Sequence, residues 1–341
     1  MGVMSVHPPR RLRARVGSVV VSVTLGLGIA AGASASLASR ASGSASARAG
    51  RPAGSVGRAG VPAFRHVFVV MMENLSYAGA MSTPGLAALA KRYALATDYY
   101  AASHPSLPNY LAVTGGSTFG ISSDCTDCYV KAPNLLSQLV TRKIPVGAYF
   151  EGLPSACDLA PYAGGNYAGK HNPFRYFVDI RTSRKLCRLL QPAARLGPLL
   201  KGPAAGVPRV VWFTPNLCND GHDCPPSTAA AWLTRFVGEV TTSAAWKDGG
   251  VLFVTWDESE GSNAAVVPPG RVVSSGGGGQ VMMLVIAPGL RRGLRVGVAY
   301  NHYSLLATIE DAFGLPLLGH ATSATPMSAF FSAKTAVRSR S

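Results

Sequence analysis

A chain of 341 residues with 32 Lys and Arg against 16 Asp and Glu has room for one large α/β domain or two small ones, at a formal charge of +16. The excess is uneven: nine basic residues and no acidic ones precede residue 66, leaving 23 basic and 16 acidic groups beyond it. Such a surface draws anionic substrates or membranes, but no basic cluster is interleaved with aromatic residues, which excludes nucleic acid as a partner.

Near its start the chain carries HPPRRLRAR at residues 7–15, then an uncharged apolar or small stretch from Val16 to about Ala33, and small residues at Ala33-Ser34-Ala35. This is the pattern of a secretory signal peptide over residues 1–35; an uncleaved membrane anchor is the alternative, since the stretch nearly reaches spanning length. Residues 36–65 are almost all Ser, Ala, Gly, Arg, Val and Pro, with little to bury, and read as a disordered linker. The folded domain is expected over 66–331, with a tail at 332–341.

His66–Met72 is a continuous apolar run, as expected of a strand buried on both faces, and Glu73-Asn74 follow it directly. Pro84–Tyr93 reads as a helix. SHPSLPNYLAVTGG, at 103–116, then sets Ser106 at the start of a helix over Leu107–Thr114, where Pro108 and Asn109 suit the first turn. A helix over Asn134–Arg142 precedes a second strand, Pro145–Phe150. HNPF at 171–174 lies in an irregular stretch before the third strand, Arg209–Phe213, which NDGHDC at 219–224 follows. A helix over Thr228–Thr241 leads to a fourth strand, Val251–Trp256, closed by Asp257-Glu258. Val281–Ala287 is a fifth strand and Tyr303–Phe313 a final helix. GGGG at 276–279 is no phosphate loop, because no Lys-Ser or Lys-Thr follows it. Strands alternating with helices imply an α/β fold with a mostly parallel central sheet covered on both faces. Ligands in such folds bind beyond the carboxyl ends of the strands, where every polar cluster above falls.

Three carboxylates and an amide oxygen, from Glu73, Asn74, Asp257 and Glu258, form an oxygen-rich set suited to one divalent cation such as Mg, Ca, Mn or Fe. A cation there would activate the Ser106 hydroxyl, and the free amides at a helix start favour a phosphate-like anion. Asn109 could donate to a phosphoryl oxygen, and His171 and His222 could steady charge or protonate a leaving alcohol, with Asp223 orienting His222. Taken singly these residues have duller readings, Ser106 as a helix cap and Asp257-Glu258 as a solvated strand end. Ser103 and His104 are a nearby rival hydroxyl and base. Acyl transfer fits poorly, for there is no G-x-S-x-G elbow. Six cysteines behind an export signal suggest three disulfides, and local spacing favours Cys125–Cys128, Cys157–Cys187 and Cys218–Cys224 among the fifteen possible pairings.

HVFVVMMENLSY, SHPSLPNYLAVTGG, KHNPFRYF, PNLCNDGHDC, VTWDESEG and NHYSLLATIEDAFGL together resemble the bacterial phosphoesterase family of the alkaline-phosphatase superfamily, over about residues 65–315. That family holds secreted acid phosphatases and phospholipases C. Its short exported members, which include acid phosphatases acting on phosphatidylinositol 3-phosphate, look most similar. The resemblance implies an alkaline-phosphatase-like fold and a metal site of Glu73, Asn74, Ser106, Asp257 and Glu258. It implies Ser106 as nucleophile assisted by Asn109, as in the T-F-P-N stretch of nucleotide pyrophosphatases, with His171 and His222 on the phosphate. His302 is expected only to cap the last helix. The expected function is a secreted, metal-dependent acid phosphatase acting on phosphate monoesters, phosphoinositides or other anionic lipids among them, through a phosphoserine. A phospholipase C-type diesterase and a non-catalytic anionic-lipid-binding protein are the alternatives.

Overall fold

The computed structural model describes residues 60–162, 164–267 and 270–332. The signal peptide, residues 36–59 of the linker and residues 333–341 of the tail lie outside them. The eight strands of the main sheet are β1 (His66–Met72), β2 (Ala94–Ala96), β3 (Val146–Phe150), β4 (Leu190–Pro192), β5 (Val210–Thr214), β6 (Gly250–Trp256), β7 (Met283–Ile286) and β8 (Arg295–Val296). Their spatial order is β8-β2-β7-β6-β1-β5-β3-β4. β1 runs parallel to both neighbours, Val67 standing opposite Val210 of β5 and Val251 of β6. All seven residues of β1 and of β6 are buried, so both faces of the sheet centre are covered. This is why those segments read as unbroken apolar runs rather than alternating ones.

The fold class is as the sequence implies, with one reversal. β7, expected to be parallel, is antiparallel to both β6 and β2. Among the described residues no helix crosses back over the sheet between Trp256 and Met283, so the chain re-enters the sheet at the end where it left and runs the other way. β2, β4 and β8, of two or three residues, are too short to leave a periodic signal. The domain also starts before residue 66. Val61 and Phe64 are buried, and Phe64 packs edge-on against Phe253 and Phe331.

Two helix pairs flank the sheet: α1 (Pro84–Arg92) packs on α4 (Pro226–Thr242), and α2 (Ser106–Gly115) on α5 (His302–Phe313). A further helix, α3, spans Leu135–Thr141. All ten residues of α2 are buried. Gly116 ends it in the left-handed region at φ 74°, and a Cβ there would lie 2.2 Å from the Leu318 carbonyl oxygen. The three disulfides formed are Cys125–Cys128, Cys157–Cys187 and Cys218–Cys224. Among the described residues no helix is long and apolar enough to cross a membrane.

Candidate active site

The chain leaves β1, β5 and β6 at one edge, and backbone bonds tie the three exits together. The Glu73 amide donates to the Asp220 carbonyl at 3.1 Å, and the Asp257 amide to the Met72 carbonyl at 3.0 Å. Asn74, at φ 40°, turns its own amide onto Asp257 Oδ1 at 3.0 Å. Glu73 and Asp257 are thereby fixed side by side at the floor of the site, both fully buried.

Ser106 enters from the start of α2. Asn109 holds the preceding turn, which contains the cis His104–Pro105 bond. Its carbonyl oxygen accepts from the Ala102 and Ser103 amides, each at 2.9 Å, and its NH2 donates to the Ser103 and Pro105 carbonyls at 2.8 and 3.1 Å. Ser106 Oγ then donates to Glu73 Oε2 at 3.2 Å, while the Tyr110 hydroxyl, one turn on, donates to Glu73 Oε1. His171 stacks on Tyr110, with ring centroids 5.5 Å apart. Its Nε2 lies 3.2 Å from Glu73 Oε2 and its Nδ1 3.4 Å from Asp220 Oδ2.

Burial dominates the electrostatics. It raises Glu73 well above the carboxylate range, helped by the charges of Asp257 and Asp220, and raises Asp257 as well. Burial pushes Asp220 up to about 8 and, with the Asp257 charge, Glu258 up to about 7. It also holds His171 well below its ordinary value, aided by Lys170 and His222, so that imidazole is neutral.

A cation fits this arrangement. Asn74 Oδ1, Asp257 Oδ2, Asp220 Oδ2 and His171 Nε2 are buried without a hydrogen-bond partner, an unusual concentration of unsatisfied polar atoms able to bind a cation. Glu73, His171 and His222 offer ligand atoms within 4.8 Å of one another. The candidate set therefore includes histidine nitrogen as well as the oxygens expected. Glu258 is the outlying member: His104 engages it, Nδ1 lying 2.6 Å from Glu258 Oε2.

The other expected residues fall as follows. His222 Nδ1 lies 2.6 Å from Asp223 Oδ1, and its Nε2 3.4 Å from Lys170 Nζ. The hydroxyl of Ser103 donates to the His104 carbonyl at 3.0 Å, whereas that of Ser106 donates to the Glu73 carboxylate. His302 does not cap its helix. Asn301 does so through a capping box with Ser304, and His302 instead bonds the Asp257 carbonyl at 2.6 Å. Tyr110, Asp220, Lys170 and Asp124 belong to the site and were not picked out from the sequence. Lys170 adjoins His171 and Asp220 lies two residues before His222, both inside quoted motifs. Tyr110 looks like one more core residue of an apolar helix.

A serine at a helix start, facing buried carboxylates beyond the carboxyl edge of a mostly parallel sheet, defines a phosphoric ester hydrolase of alkaline-phosphatase architecture. The chain belongs to the Phosphoesterase family, whose model matches residues 79–316. It is 32% identical over 282 residues to a phosphatidylinositol-3-phosphatase of Mycobacterium tuberculosis, covering 81% of this chain and 86% of that protein. It is 29% identical over 267 residues to a phosphate-repressible acid phosphatase of Penicillium chrysogenum, 75% of this chain against 61% of that longer one. A solved protein of the alkaline phosphatase superfamily from Vibrio parahaemolyticus shares the fold, with TM-score 0.51 and 13% identity over 80% of this chain and 71% of its own.

Proposed function

We propose that the protein is an exported, metal-dependent acid phosphatase that hydrolyses phosphate monoesters through a phosphoserine at Ser106. The observation that carries this reading is the hydroxyl of Ser106, 1% exposed at the start of α2 and bonded to the Glu73 carboxylate at 3.2 Å, beside the unpartnered oxygen of Asp257. Glu73, Asn74 and Asp257 would hold the cation, with Ser106, His171 and Asp220 within reach of it. When bound, it would supply Lewis-acid activation of the hydroxyl and neutralise the clustered carboxylates.

The chain's own groups divide the remaining work. Glu73 orients the Ser106 hydroxyl and lies where it can accept its proton as Oγ attacks phosphorus in line. The phosphorus–oxygen bond to the alcohol breaks as the bond to Oγ forms. His222, half-buried and held by Asp223, is the group placed to protonate the departing oxygen; His171 is too buried and too depressed in pKa to carry that proton. Water then hydrolyses the phosphoserine, returning the serine and releasing phosphate. Asn109 acts by shaping the turn before Ser106, since both of its amide hydrogens are engaged there. Phosphoinositides are the proposed physiological class, on the strength of the Mycobacterium relative. The pairing of all six cysteines accords with export to an oxidising compartment.

The test is turnover of p-nitrophenyl phosphate by wild type and Ser106→Ala, each before and after chelation and restoration of single divalent ions. Ser106→Ala should lose about a thousandfold or more in kcat while unfolding like wild type. Chelated wild type should be inactive and recover with a divalent metal ion. A Ser106→Ala enzyme with near-normal turnover ends the nucleophile assignment, and full activity after chelation ends the metal assignment.

A further inference from the structure

Asp124, in the irregular loop after α2, carries two donors, one on each carboxylate oxygen. Oδ1 accepts from the Leu107 amide at 3.0 Å, and Oδ2 from Lys170 Nζ at 2.9 Å. Leu107 is the residue after Ser106, so its amide belongs to the first turn of the helix that presents the hydroxyl. Lys170 adjoins His171 and stands 3.4 Å from His222 Nε2. Among the described residues, Asp124 is its only ion-pair partner. A backbone amide beside the serine and an ammonium held by the same carboxylate are donors of the kind that an anionic phosphoryl group at Ser106 would need. In this structure a carboxylate of the protein holds both.

We propose that Asp124 is a built-in competitor of the substrate, occupying the seat of the phosphoryl group. When a phosphate ester binds, the Leu107 amide and the Lys170 ammonium pass from the carboxylate to phosphoryl oxygens. The proposal rests on Ser106 being the site of phosphoryl transfer and adds the residues that set how tightly phosphate is held there. Asp124 is suited to exchange because it is an accessible side chain, 29% exposed, on a loop whose residues Ser122, Ser123, Thr126 and Asp127 all face solvent. The loop backbone is nonetheless fixed. The Cys125–Cys128 bridge closes it, and Arg175 donates to the Thr126 carbonyl at 3.2 Å. Displacement therefore needs a side-chain rotation and no rearrangement of the loop. Holding Lys170 in place before substrate arrives also keeps the site ordered, at the expense of apparent affinity. That affinity falls by the fraction of molecules in which the seat is already filled.

The sign of the effect separates this role from a merely structural one. A post that positions Lys170 and α2 would, when removed, weaken phosphate binding; a competitor, when removed, strengthens it. Calorimetric titration of inorganic phosphate into metal-replete wild type, Asp124→Asn and Asp124→Ser tests this directly. Both variants should bind phosphate about three- to tenfold more tightly, with KM for p-nitrophenyl phosphate lowered by a similar factor. Lys170→Gln should weaken phosphate binding and raise KM. Should either Asp124 variant be too unstable to titrate, the rise in its Tm on adding phosphate is compared with that of wild type, and a larger rise supports the proposal. Unchanged or weaker phosphate binding in the folded Asp124 variants overturns it. If the wild type bound phosphate yet hydrolysed no ester, the nucleophile reading would fall, and the phosphate comparison would still decide the role of Asp124.

Discussion

The His302 imidazole is fully buried, with Nε2 2.6 Å from the Asp257 carbonyl oxygen and Nδ1 3.1 Å from the Tyr99 hydroxyl. A carbonyl only accepts, so Nε2 carries the hydrogen and Nδ1 accepts from Tyr99. Burial lowers its pKa to about 4, which keeps this neutral tautomer across the range in which the enzyme would work. His302 thus holds the backbone of a site carboxylate with both ring nitrogens engaged inside the protein, and it is a positioning residue. Replacement by Ala strands a buried carbonyl and a buried hydroxyl, at about 2–4 kcal/mol in chemical denaturation. It should also lower kcat about tenfold with little change in KM, because Asp257 loses its fixed place. His302→Gln, which can still donate to the carbonyl, should recover part of both losses. Unchanged kcat in a destabilised His302→Ala protein would confine this residue to folding.

Among the elements, α2 depends on both of its ends. Ser106 stands at one, and at the other Gly116 meets the strap at residues 318–320, where the His320 amide donates to the Gly116 carbonyl at 2.7 Å. An alanine at 116 must keep φ near 74° and place its Cβ 2.2 Å from the Leu318 oxygen, so either the strap or the helix end must move. Gly116→Ala should cost more than about 2 kcal/mol by denaturant midpoint, with turnover per folded molecule retained. An unchanged midpoint would mean that the strap yields freely. The same elements explain what was legible beforehand. Strands buried on both faces betray themselves as apolar runs, and the acids that follow them mark the functional edge, hence Glu73 and Asp257, while Ser106 stands out by the prolines that mark a helix start. The direction of β7 was hidden because local pattern does not encode pairing partners. Asp124 and Lys170 were hidden because they approach Ser106 from two irregular stretches, where no periodicity relates position in sequence to position in space. Tyr110 was hidden because its hydroxyl, the part that matters, sits on a ring that packs like any other core ring.

Across the whole molecule, two buried groups of α5, Glu310 and His302, add to the response to pH that the carboxylates around Ser106 also shape. Burial pushes Glu310 up to about 8, even though the Leu318 amide lies 3.1 and 3.3 Å from its two oxygens. Between its ordinary value of 4.5 and about 8, the folded chain keeps a proton that the unfolded chain has released. Its contribution to stability is therefore complete below 4.5 and is lost as pH rises through about 8. His302 works in the opposite direction: with a folded pKa of about 4 against 6.5, its contribution is complete above 6.5 and is lost as pH falls toward 4. From 4.5 to 6.5 the two trends oppose each other; above 6.5, of these two, that of Glu310 remains, with a slope of at most about 1.4 kcal/mol per pH unit, alongside that of the raised site carboxylates. The fold is thus biased toward mildly acidic conditions by a carboxyl group outside the site. Glu310→Gln keeps an acceptor for the Leu318 amide and removes the titration. Its melting temperature should match wild type near pH 4.5, exceed it increasingly as pH rises toward about 8, and keep a constant lead above that. Parallel declines in the two proteins would remove Glu310 as the cause and shift the alkaline loss of stability to the carboxylates around Ser106.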